Sequence, residues 1–208
     1  MELKNKKILI LGDSITEGAC ASKPELCFVE LLKSKYNLNC INYGVGGTRI
    51  ARQLNPSWPA LFDYDYNMRL EVMKKDADIV IVFGGTNDFG HGDASFSGEG
   101  YYSFTGALNI LFDNLKKKYP KQTIVIITPL QRSDQEKSLC GHPLVDYASL
   151  IKKEALNRNY NILDLYNDID FKVGTEAFKN NIFTDGLHPN DNGHELIAKK
   201  IYNYLKEL

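Results

Sequence analysis

Five short runs of apolar, mostly β-branched residues constrain the fold of this chain more than any other feature. They cover residues 8–11, 40–43, 79–83, 124–128 and 162–165, and each is near-continuous rather than alternating in polarity. A strand buried on both faces needs apolar side chains at nearly every position, as in a parallel sheet covered by helices on both sides. The runs therefore predict five strands of one parallel sheet.

Helical patterns lie between and after these runs. Apolar residues recur at intervals of three and four in four segments, which begin near Phe28, Phe104, Leu144 and Ile197. Pro120 ends the second pattern, and Asn192 and Glu195 have capping-box spacing near the start of the last. Alternation of strands and helices predicts a three-layer α/β/α sandwich, formed by a single domain over residues 1–208. Residues 51–67 and 86–103 show no clear pattern and are predicted to be binding loops.

Composition and charge exclude several classes of protein. The 208 residues include 25 basic and 26 acidic ones, for a formal net charge of -1, whereas nucleic-acid-binding proteins usually carry a basic patch or excess. No apolar segment is long enough for a signal-peptide core or a membrane span, so we expect a cytoplasmic protein with no membrane partner. The four cysteines lack paired spacing, which predicts idle thiols rather than a zinc site.

Polar and glycine-rich segments follow three of the predicted strands, at residues 12–16, 42–48 and 84–88. Ligands of open parallel sheets bind at the carboxyl ends of the strands, so we expect these segments to converge on one crevice. A fourth segment, residues 185–189, precedes the last helix. Pro189 favours an extended conformation at His188, and Asp185 can accept a hydrogen bond from Nδ1 of that histidine. Nε2 is then free to accept a proton from a hydroxyl group.

These segments supply what acyl transfer requires. The hydroxyl of Ser14 is a weak nucleophile until a base such as His188 removes its proton, and the base needs an orienting partner. The oxyanion of the tetrahedral intermediate needs fixed donors, each of which typically contributes about 3–4 kcal/mol. Glycine N–H groups and the amide of Asn87 suit that task, since glycine lets the backbone approach a substrate closely.

The same four segments resemble the consensus blocks of the SGNH, or GDSL-type, hydrolases. The matching residues are Gly-Asp-Ser at 12–14, the glycine loop at 44–47, Gly-x-Asn-Asp at 85–88 and Asp-x-x-His at 185–188. Their order and spread also match, so the resemblance covers essentially the whole chain. It implies a flavodoxin-like α/β/α fold with a five-stranded parallel sheet, and neither a metal nor a cofactor.

The resemblance also implies a role for each matching residue. Ser14 would be the nucleophile, His188 the general base and then acid, and Asp185 the carboxylate that orients it. Ile15 replaces the leucine of the familiar first block, which is a conservative change.

An oxyanion hole follows from the same resemblance. Its donors would be the backbone N–H groups of Ser14 and Gly47 and the side-chain amide of Asn87. Gly44 and Gly46 are alternatives to Gly47, which alignment from Asn42 favours.

Other polar residues near these blocks have weaker assignments. Three of them are candidate substrate contacts, namely Asp13, Gly46 and His91. Asp13 and Asp88 are more readily explained as braces of their loops through backbone hydrogen bonds. Arg49 either contacts substrate or forms a surface salt bridge. His142 and His194 are predicted to be surface or capping residues.

Ester hydrolysis through a covalent acyl-enzyme is the leading functional hypothesis. An acyltransferase with the same residues and a non-catalytic binding module of the same fold are the alternatives. An α/β-hydrolase is excluded, because its Gly-x-Ser-x-Gly elbow is absent from the sequence. The Tyr- and Gly-rich loops favour a small-molecule ester with a short acyl group, such as an acetylated sugar.

Overall fold

One sheet of five parallel strands forms the centre of the computed structural model, which describes residues 2–175 and 182–208. The strands are β1 (Lys7–Gly12), β2 (Asn39–Gly44), β3 (Ile79–Phe83), β4 (Thr123–Ile127) and β5 (Asn161–Leu163). Their order in the sheet is β2-β1-β3-β4-β5, which is the flavodoxin-like order. The predicted parallel sheet is confirmed, with strand ends that differ from the apolar runs by at most two residues.

Helices and short 3-10 turns connect the strands. The helices of the described residues are α1 (Ser14–Glu17), α2 (Phe28–Ser34), α3 (Tyr66–Val72), α4 (Thr86–His91), α5 (Phe104–Lys118), α6 (Leu144–Asn157) and α7 (Asp191–Glu207). The 3-10 turns are Pro24–Leu26, Ala60–Asp63 and Ile169–Phe171. The four predicted helices are α2, α5, α6 and α7. The other three are too short to show a periodic apolar pattern, and two of them lie partly or wholly in segments predicted as loops.

Side chains of each buried strand alternate between two apolar cores. In β1, Ile8 and Ile10 face a core that contains residues of α2 and α7, whereas Leu9 and Leu11 face a core that contains residues of α3, α5 and α6. All four side chains are fully buried, and each contributes roughly 1.5–3 kcal/mol to folding. Helices therefore cover both faces of the sheet, which confirms the three-layer sandwich.

Helix α7 begins earlier than the predicted capping box. The side chain of Asn190 is the cap and accepts a hydrogen bond from the Gly193 N–H at 3.2 Å. Asn192 therefore lies inside the first turn, and the assignment of the box to Asn192 and Glu195 was wrong. At the end of α5 the prediction is confirmed, since the helix stops at Lys118, before Pro120. No helix among the described residues has the length and apolar character needed to cross a membrane.

Candidate active site

Ser14 lies on a tight turn between β1 and α1. Asp13 caps the helix by accepting a hydrogen bond from the Ile15 N–H at 3.0 Å, and Ser14 is the first helical residue. A Cβ atom at Gly12 would stand 1.9 Å from Oγ1 of Thr16, so only glycine permits this close approach of strand and helix. The hydroxyl of Ser14 is thereby presented, half-buried, at the carboxyl edge of the sheet.

The carboxylate of Asp13 lies beneath this turn and is only 2% exposed. Burial raises the pKa of Asp13 to about 6, even though the Ile15 N–H and the charge of Arg69 favour the ionised form. A side chain so buried is poorly placed to contact a substrate. The geometry supports the other role expected for it, which is to brace the turn that carries Ser14.

His188 connects Ser14 to Asp185. Nε2 of His188 lies 3.0 Å from Oγ of Ser14, and Nδ1 lies 2.7 Å from Oδ2 of Asp185. A carboxylate can only accept, so Nδ1 carries the proton and Nε2 offers its lone pair to the serine hydroxyl. The structure thus brings together the three residues that the sequence predicted as nucleophile, base and orienting acid.

Hydrogen bonds hold Asp185 in its ionised form. Its Oδ1 accepts from the N–H groups of His188 at 2.7 Å and Leu187 at 3.0 Å, in addition to the bond at Oδ2. Partial burial alone would raise the pKa of Asp185, but these three bonds outweigh burial and lower the pKa to about 2. The carboxylate is therefore charged throughout the physiological pH range.

The glycine loop after β2 lies against Ser14. A Cβ atom at Gly46 would stand 3.6 Å from Cβ of Ser14, so the two backbones are in near contact. Gly44 donates its N–H to Oδ1 of Asn42 at 2.7 Å, and Gly46 donates to Oε2 of Glu17 at 3.0 Å. In the described part of the chain, the N–H of Gly47 has no such acceptor. Gly47 adopts φ +73°, a left-handed conformation that favours glycine.

Asn87 lies in the first turn of α4. Its Nδ2 donates to the Thr48 carbonyl at 3.0 Å, which ties α4 to the residue after Gly47. An amide nitrogen has two hydrogens, so a second donor is left for a ligand. Next to it, Asp88 accepts from the N–H groups of Ile50 at 3.0 Å and Ala51 at 2.8 Å. Asp88 thus braces the segment after the glycine loop rather than its own segment, which is helical, and burial raises its pKa to about 6.

Arg69 of α3 holds both ends of the glycine loop, a role that the sequence did not reveal. Its buried guanidinium donates from Nη1 to Oγ1 of Thr48 at 2.7 Å. Nη2 of the same guanidinium donates to the Tyr43 carbonyl. These acceptors lie just before Gly44 and just after Gly47. The only sequence signal is one basic residue in a short apolar segment, which is more typical of an exposed helix position.

His91 and Arg49 form a second cluster beside the glycine loop. Nδ1 of His91 lies 2.9 Å from Nη1 of Arg49. Nη2 of Arg49 donates to the Phe62 carbonyl and to Oδ1 of Asp63, both at 3.2 Å. The expected salt bridge of Arg49 is present, to Asp63, but the arginine is only 3% exposed, so its end of the bridge is buried rather than at the surface. The His91 residue is exposed as a whole, but desolvation of its ring on the protein side and the charges of Arg49 and Arg132 lower its pKa to about 4.

Phe62 connects this cluster to the glycine loop. Its ring centroid is 5.9 Å from that of His91, and a Cβ atom at Gly47 would stand 2.3 Å from the ring. The half-buried ring therefore forms a wall directly beside Gly47. Sequence reasoning placed Phe62 in a binding segment but gave it no role.

For His194, the structure supports the capping alternative rather than the surface one. It is fully buried, its Nδ1 accepts from the Phe28 N–H at the start of α2 at 3.4 Å, and its Nε2 lies 3.1 Å from the Ala19 carbonyl, just after α1. Its spacing to Ile197 and Ile201 puts it on the buried face of α7 and is the signal that could have revealed this position. His142 is half-buried and pairs with Asp146 at 2.8 Å.

One group of side chains among the described residues has the composition of a metal site. Cys20, Asp185 and His188 each offer a ligand atom, and these atoms lie within 4.8 Å of one another. Cys20 and Asp185 are exposed, and His188 is half-buried. The spacing of the cysteines predicted no zinc site, and this group combines residues from two segments that are distant in the chain.

A parallel α/β/α sandwich with a serine–histidine–carboxylate array at the carboxyl edge of its sheet has the architecture of the SGNH-type hydrolases. The sequence matches the GDSL-like Lipase/Acylhydrolase family over residues 10–196, and the chain belongs to this family of hydrolases.

Crystal structures of other proteins have the same fold. A protein from Lactobacillus plantarum is 25% identical, with a TM-score of 0.83 over 99% of each chain. A member of the lipolytic G-D-S-L family from Veillonella parvula is 21% identical, with a TM-score of 0.67 over 97% of this chain and 99% of the other. An acetyl xylan esterase is 24% identical, with a TM-score of 0.67 over 95% of this chain and 98% of the other. Among curated proteins, no match to the sequence was found.

Proposed function

We propose that the chain hydrolyses esters with short acyl groups, with Ser14 as nucleophile, His188 as general base and Asp185 as the residue that orients it. The observation that carries this proposal is the unbroken hydrogen-bond chain from Oγ of Ser14 to the Asp185 carboxylate, with links of 3.0 and 2.7 Å. Both links have the lengths that a nucleophile, a base and an orienting acid need.

The reaction proceeds in two halves. His188 accepts the proton of Ser14 through Nε2 while Oγ attacks the ester carbonyl, and the same nitrogen then gives the proton to the departing alcohol. Water, activated by His188, next attacks the acyl-enzyme and releases the acid. Asp185 stays ionised in both halves because its pKa is held near 2, so it stabilises each imidazolium that forms.

Three donors would stabilise the oxyanion. The N–H groups of Gly44 and Gly46 already have acceptors, which supports Gly47 as the donor from the glycine loop. Ser14 lies in the first turn of α1, where N–H groups lack intrahelical acceptors, and Asn87 has a second amide hydrogen. Donors of this kind need no reorganisation during the reaction, which is the source of their effect.

The Phe62 wall supports a short acyl group. Its ring stands beside Gly47, the proposed oxyanion donor, so an acyl chain bound to Ser14 would meet it close to the carbonyl carbon. The His91 ring packs near the Phe62 ring, with 5.9 Å between the centroids, and Arg49 donates to the Phe62 backbone carbonyl. A bulky, fixed side chain at this place limits the acyl chain length, because protein interiors accommodate added methylene groups poorly.

A cleft of about 340 Å³ supports a sugar as the alcohol part of the substrate. Its lining includes Asp63, the residue after Phe62 in the chain, together with the exposed rings of Tyr64 and Tyr102 and the polar side chains of Gln53 and Asn55. Aromatic faces combined with amide and carboxylate groups suit a ligand that is apolar on its faces and rich in hydroxyl groups. The Arg52 guanidinium lies 4.6 Å over the Tyr101 ring and borders the same cleft.

Hydrolysis of p-nitrophenyl acetate, butyrate and octanoate by the wild type and by Ser14→Ala tests the proposal. We expect the wild type to cleave acetate fastest and octanoate slowest, and Ser14→Ala to lose turnover of all three esters. Turnover by Ser14→Ala at the wild-type rate would overturn the role of Ser14. Faster cleavage of octanoate than of acetate would overturn the short-acyl assignment alone.

The sugar assignment has its own test. Tyr64→Ala and Tyr102→Ala should raise KM for an acetylated xylo-oligosaccharide and leave kinetics on p-nitrophenyl acetate unchanged, because the small ester does not reach the cleft. Equal effects on both substrates, or none on either, would contradict a sugar in this cleft.

A further inference from the structure

Cys20 lies beside the proposed catalytic residues but has no part in the proposed reaction. Its Sγ, a ring nitrogen of His188 and a carboxylate oxygen of Asp185 lie within 4.8 Å of one another. Cys20 is exposed and forms no disulfide with another described residue, so its thiol is open to a ligand from solvent. Thiolate, imidazole and carboxylate are the donor set that zinc-type cations prefer.

We propose that Cys20, Asp185 and His188 form an inhibitory binding site for a zinc-type divalent cation. The proposal rests on the proposed function, because inhibition acts on residues assigned to ester hydrolysis. The ion would be coordinated by the three side chains and a water molecule, in the four-coordinate geometry usual for zinc.

The segment that carries Cys20 is held at both ends, which favours a preformed site. On one side, the Ala19 N–H donates to the Ser14 carbonyl at 2.9 Å, and the Ala19 carbonyl contacts Nε2 of His194 at 3.1 Å. On the other side, both the N–H and the hydroxyl of Ser22 donate to Asp191 at 2.7 Å. The backbone of Cys20 is therefore fixed next to α7.

The loop that carries the other two ligands is also fixed. The Thr184 N–H donates to the His188 carbonyl at 2.9 Å, and the Ser133 N–H donates to the Gly186 carbonyl at 2.9 Å. Tetrahedral zinc with bonds of about 2.0–2.3 Å needs ligand atoms about 3.5 Å apart. The three ligand atoms lie within 4.8 Å of one another, so adjustments of the exposed Cys20 and Asp185 side chains would bring them to that separation.

The charge of the site matches that of a divalent cation. Binding releases the thiol proton of Cys20, and the resulting thiolate together with the Asp185 carboxylate supplies two negative charges. Since Asp185 bonds to Nδ1 of His188, an ion that binds both side chains would be coordinated at Nδ1 and would replace that hydrogen bond. The displaced proton would move to Nε2, which could then no longer accept the serine proton. Zinc binding would therefore stop ester hydrolysis.

Zinc titration of p-nitrophenyl acetate hydrolysis by the chain of residues 1–208 tests the proposal. We expect zinc to inhibit the wild type and a chelator to restore activity. Cys20→Ser should keep the wild-type rate without zinc, because Cys20 takes no part in the reaction. Loss of a residue that only hydrogen-bonds to a metal ligand typically lowers metal affinity about 10–100-fold. Loss of the ligand Cys20 should cost at least as much, so Cys20→Ser should need at least about tenfold more zinc for half-maximal inhibition. The control is Cys140→Ser, which removes another exposed thiol and should respond as the wild type does.

Direct zinc binding separates this proposal from the proposed function. Competition with a chromogenic zinc chelator should show one ion per chain for the wild type and for Ser14→Ala, and weaker binding for Cys20→Ser. If no protein hydrolyses the ester, the proposed function fails, and the binding result still decides the metal site. Equal zinc affinity of Cys20→Ser and the wild type, or no binding by the wild type, would overturn the proposal.

Discussion

The Asp185 carboxylate accepts three hydrogen bonds, and two of them come from His188. In Asp185→Asn, an amide N–H would face Nδ1 of His188 and force the imidazole proton onto Nε2. His188 could then no longer accept the proton of Ser14. We expect kcat to fall on the order of 10³–10⁴-fold, with little change in KM, as measured by steady-state hydrolysis of p-nitrophenyl acetate.

Asp146→Asn is the matched control for this substitution. Asp146 pairs with His142 at 2.8 Å, nearly the same separation, but on α6 and with no contact to Ser14. It should retain wild-type kinetics. Unchanged kcat in Asp185→Asn would show that His188 needs no orienting carboxylate.

Phe62 is the residue at which acyl specificity is most directly tested. Phe62→Ala removes the ring beside Gly47 and opens space for a longer acyl chain. We expect the ratio of kcat/KM for octanoate to that for acetate to rise at least about tenfold, since each accommodated methylene group can contribute about that much. Trp58→Ala removes a ring that is 93% exposed on the same segment and should leave the ratio unchanged. A ratio unaltered by Phe62→Ala would place the chain-length limit elsewhere.

At the scale of structural elements, the Arg69 guanidinium of α3 holds the glycine loop that follows β2. Arg69→Met keeps most of the side-chain volume but removes the donors to the Tyr43 carbonyl and the Thr48 hydroxyl. The loop would then hold the Gly47 N–H less firmly. Because misplacement of about 1 Å can cost about 10²-fold in rate, we expect kcat to fall by that order while KM changes little.

Arg158→Met is the control for the loop substitution. Arg158 also makes several side-chain bonds, to Asp113, Glu154 and Asn109, but these tie α5 and α6 together rather than the glycine loop. It should lower stability without a selective loss of kcat. If both variants lost stability and kept kcat, Arg69 would have only a structural role.

At the scale of the whole molecule, the buried Asp13 makes stability depend on pH. The unfolded chain releases the Asp13 proton near the ordinary pKa of 3.8, whereas the folded protein keeps it until about pH 6. The contribution of Asp13 to the free energy of unfolding is therefore fully present below about pH 4, and it is lost as the pH rises through 6. Relative to Asp13→Asn, the wild type should lose about 1–3 kcal/mol of unfolding free energy across this interval, as measured by urea denaturation.

Asp78→Asn provides a control of opposite sign. Hydrogen bonds from the Lys7 N–H and the Lys6 side chain lower the pKa of Asp78, so its contribution is lost as pH falls, not as it rises. A constant difference in stability between the wild type and Asp13→Asn from pH 4 to 7 would contradict the burial of an ionisable group at this position.

The sequence predicts the framework of the molecule because strands buried on both faces must be apolar throughout. The same physical constraint places Ser14, Gly47 and Asn87 at one edge, since parallel strands end together. Arg69 could not be predicted as a support of the loop, because its partners are backbone and hydroxyl oxygens with no sequence signature. The proximity of Cys20 to His188 likewise depends on how α7 packs against α2.

Covalent labelling with a fluorophosphonate tests the central claim most directly. Such a probe reacts with a serine only when a base activates it, so it reports Ser14 and His188 together whatever the natural substrate is. We predict one adduct per chain, mapped by peptide mass spectrometry to Ser14, and none in Ser14→Ala or His188→Ala. An unlabelled wild type, or an adduct on another residue, would contradict the assignment of Ser14 as the nucleophile.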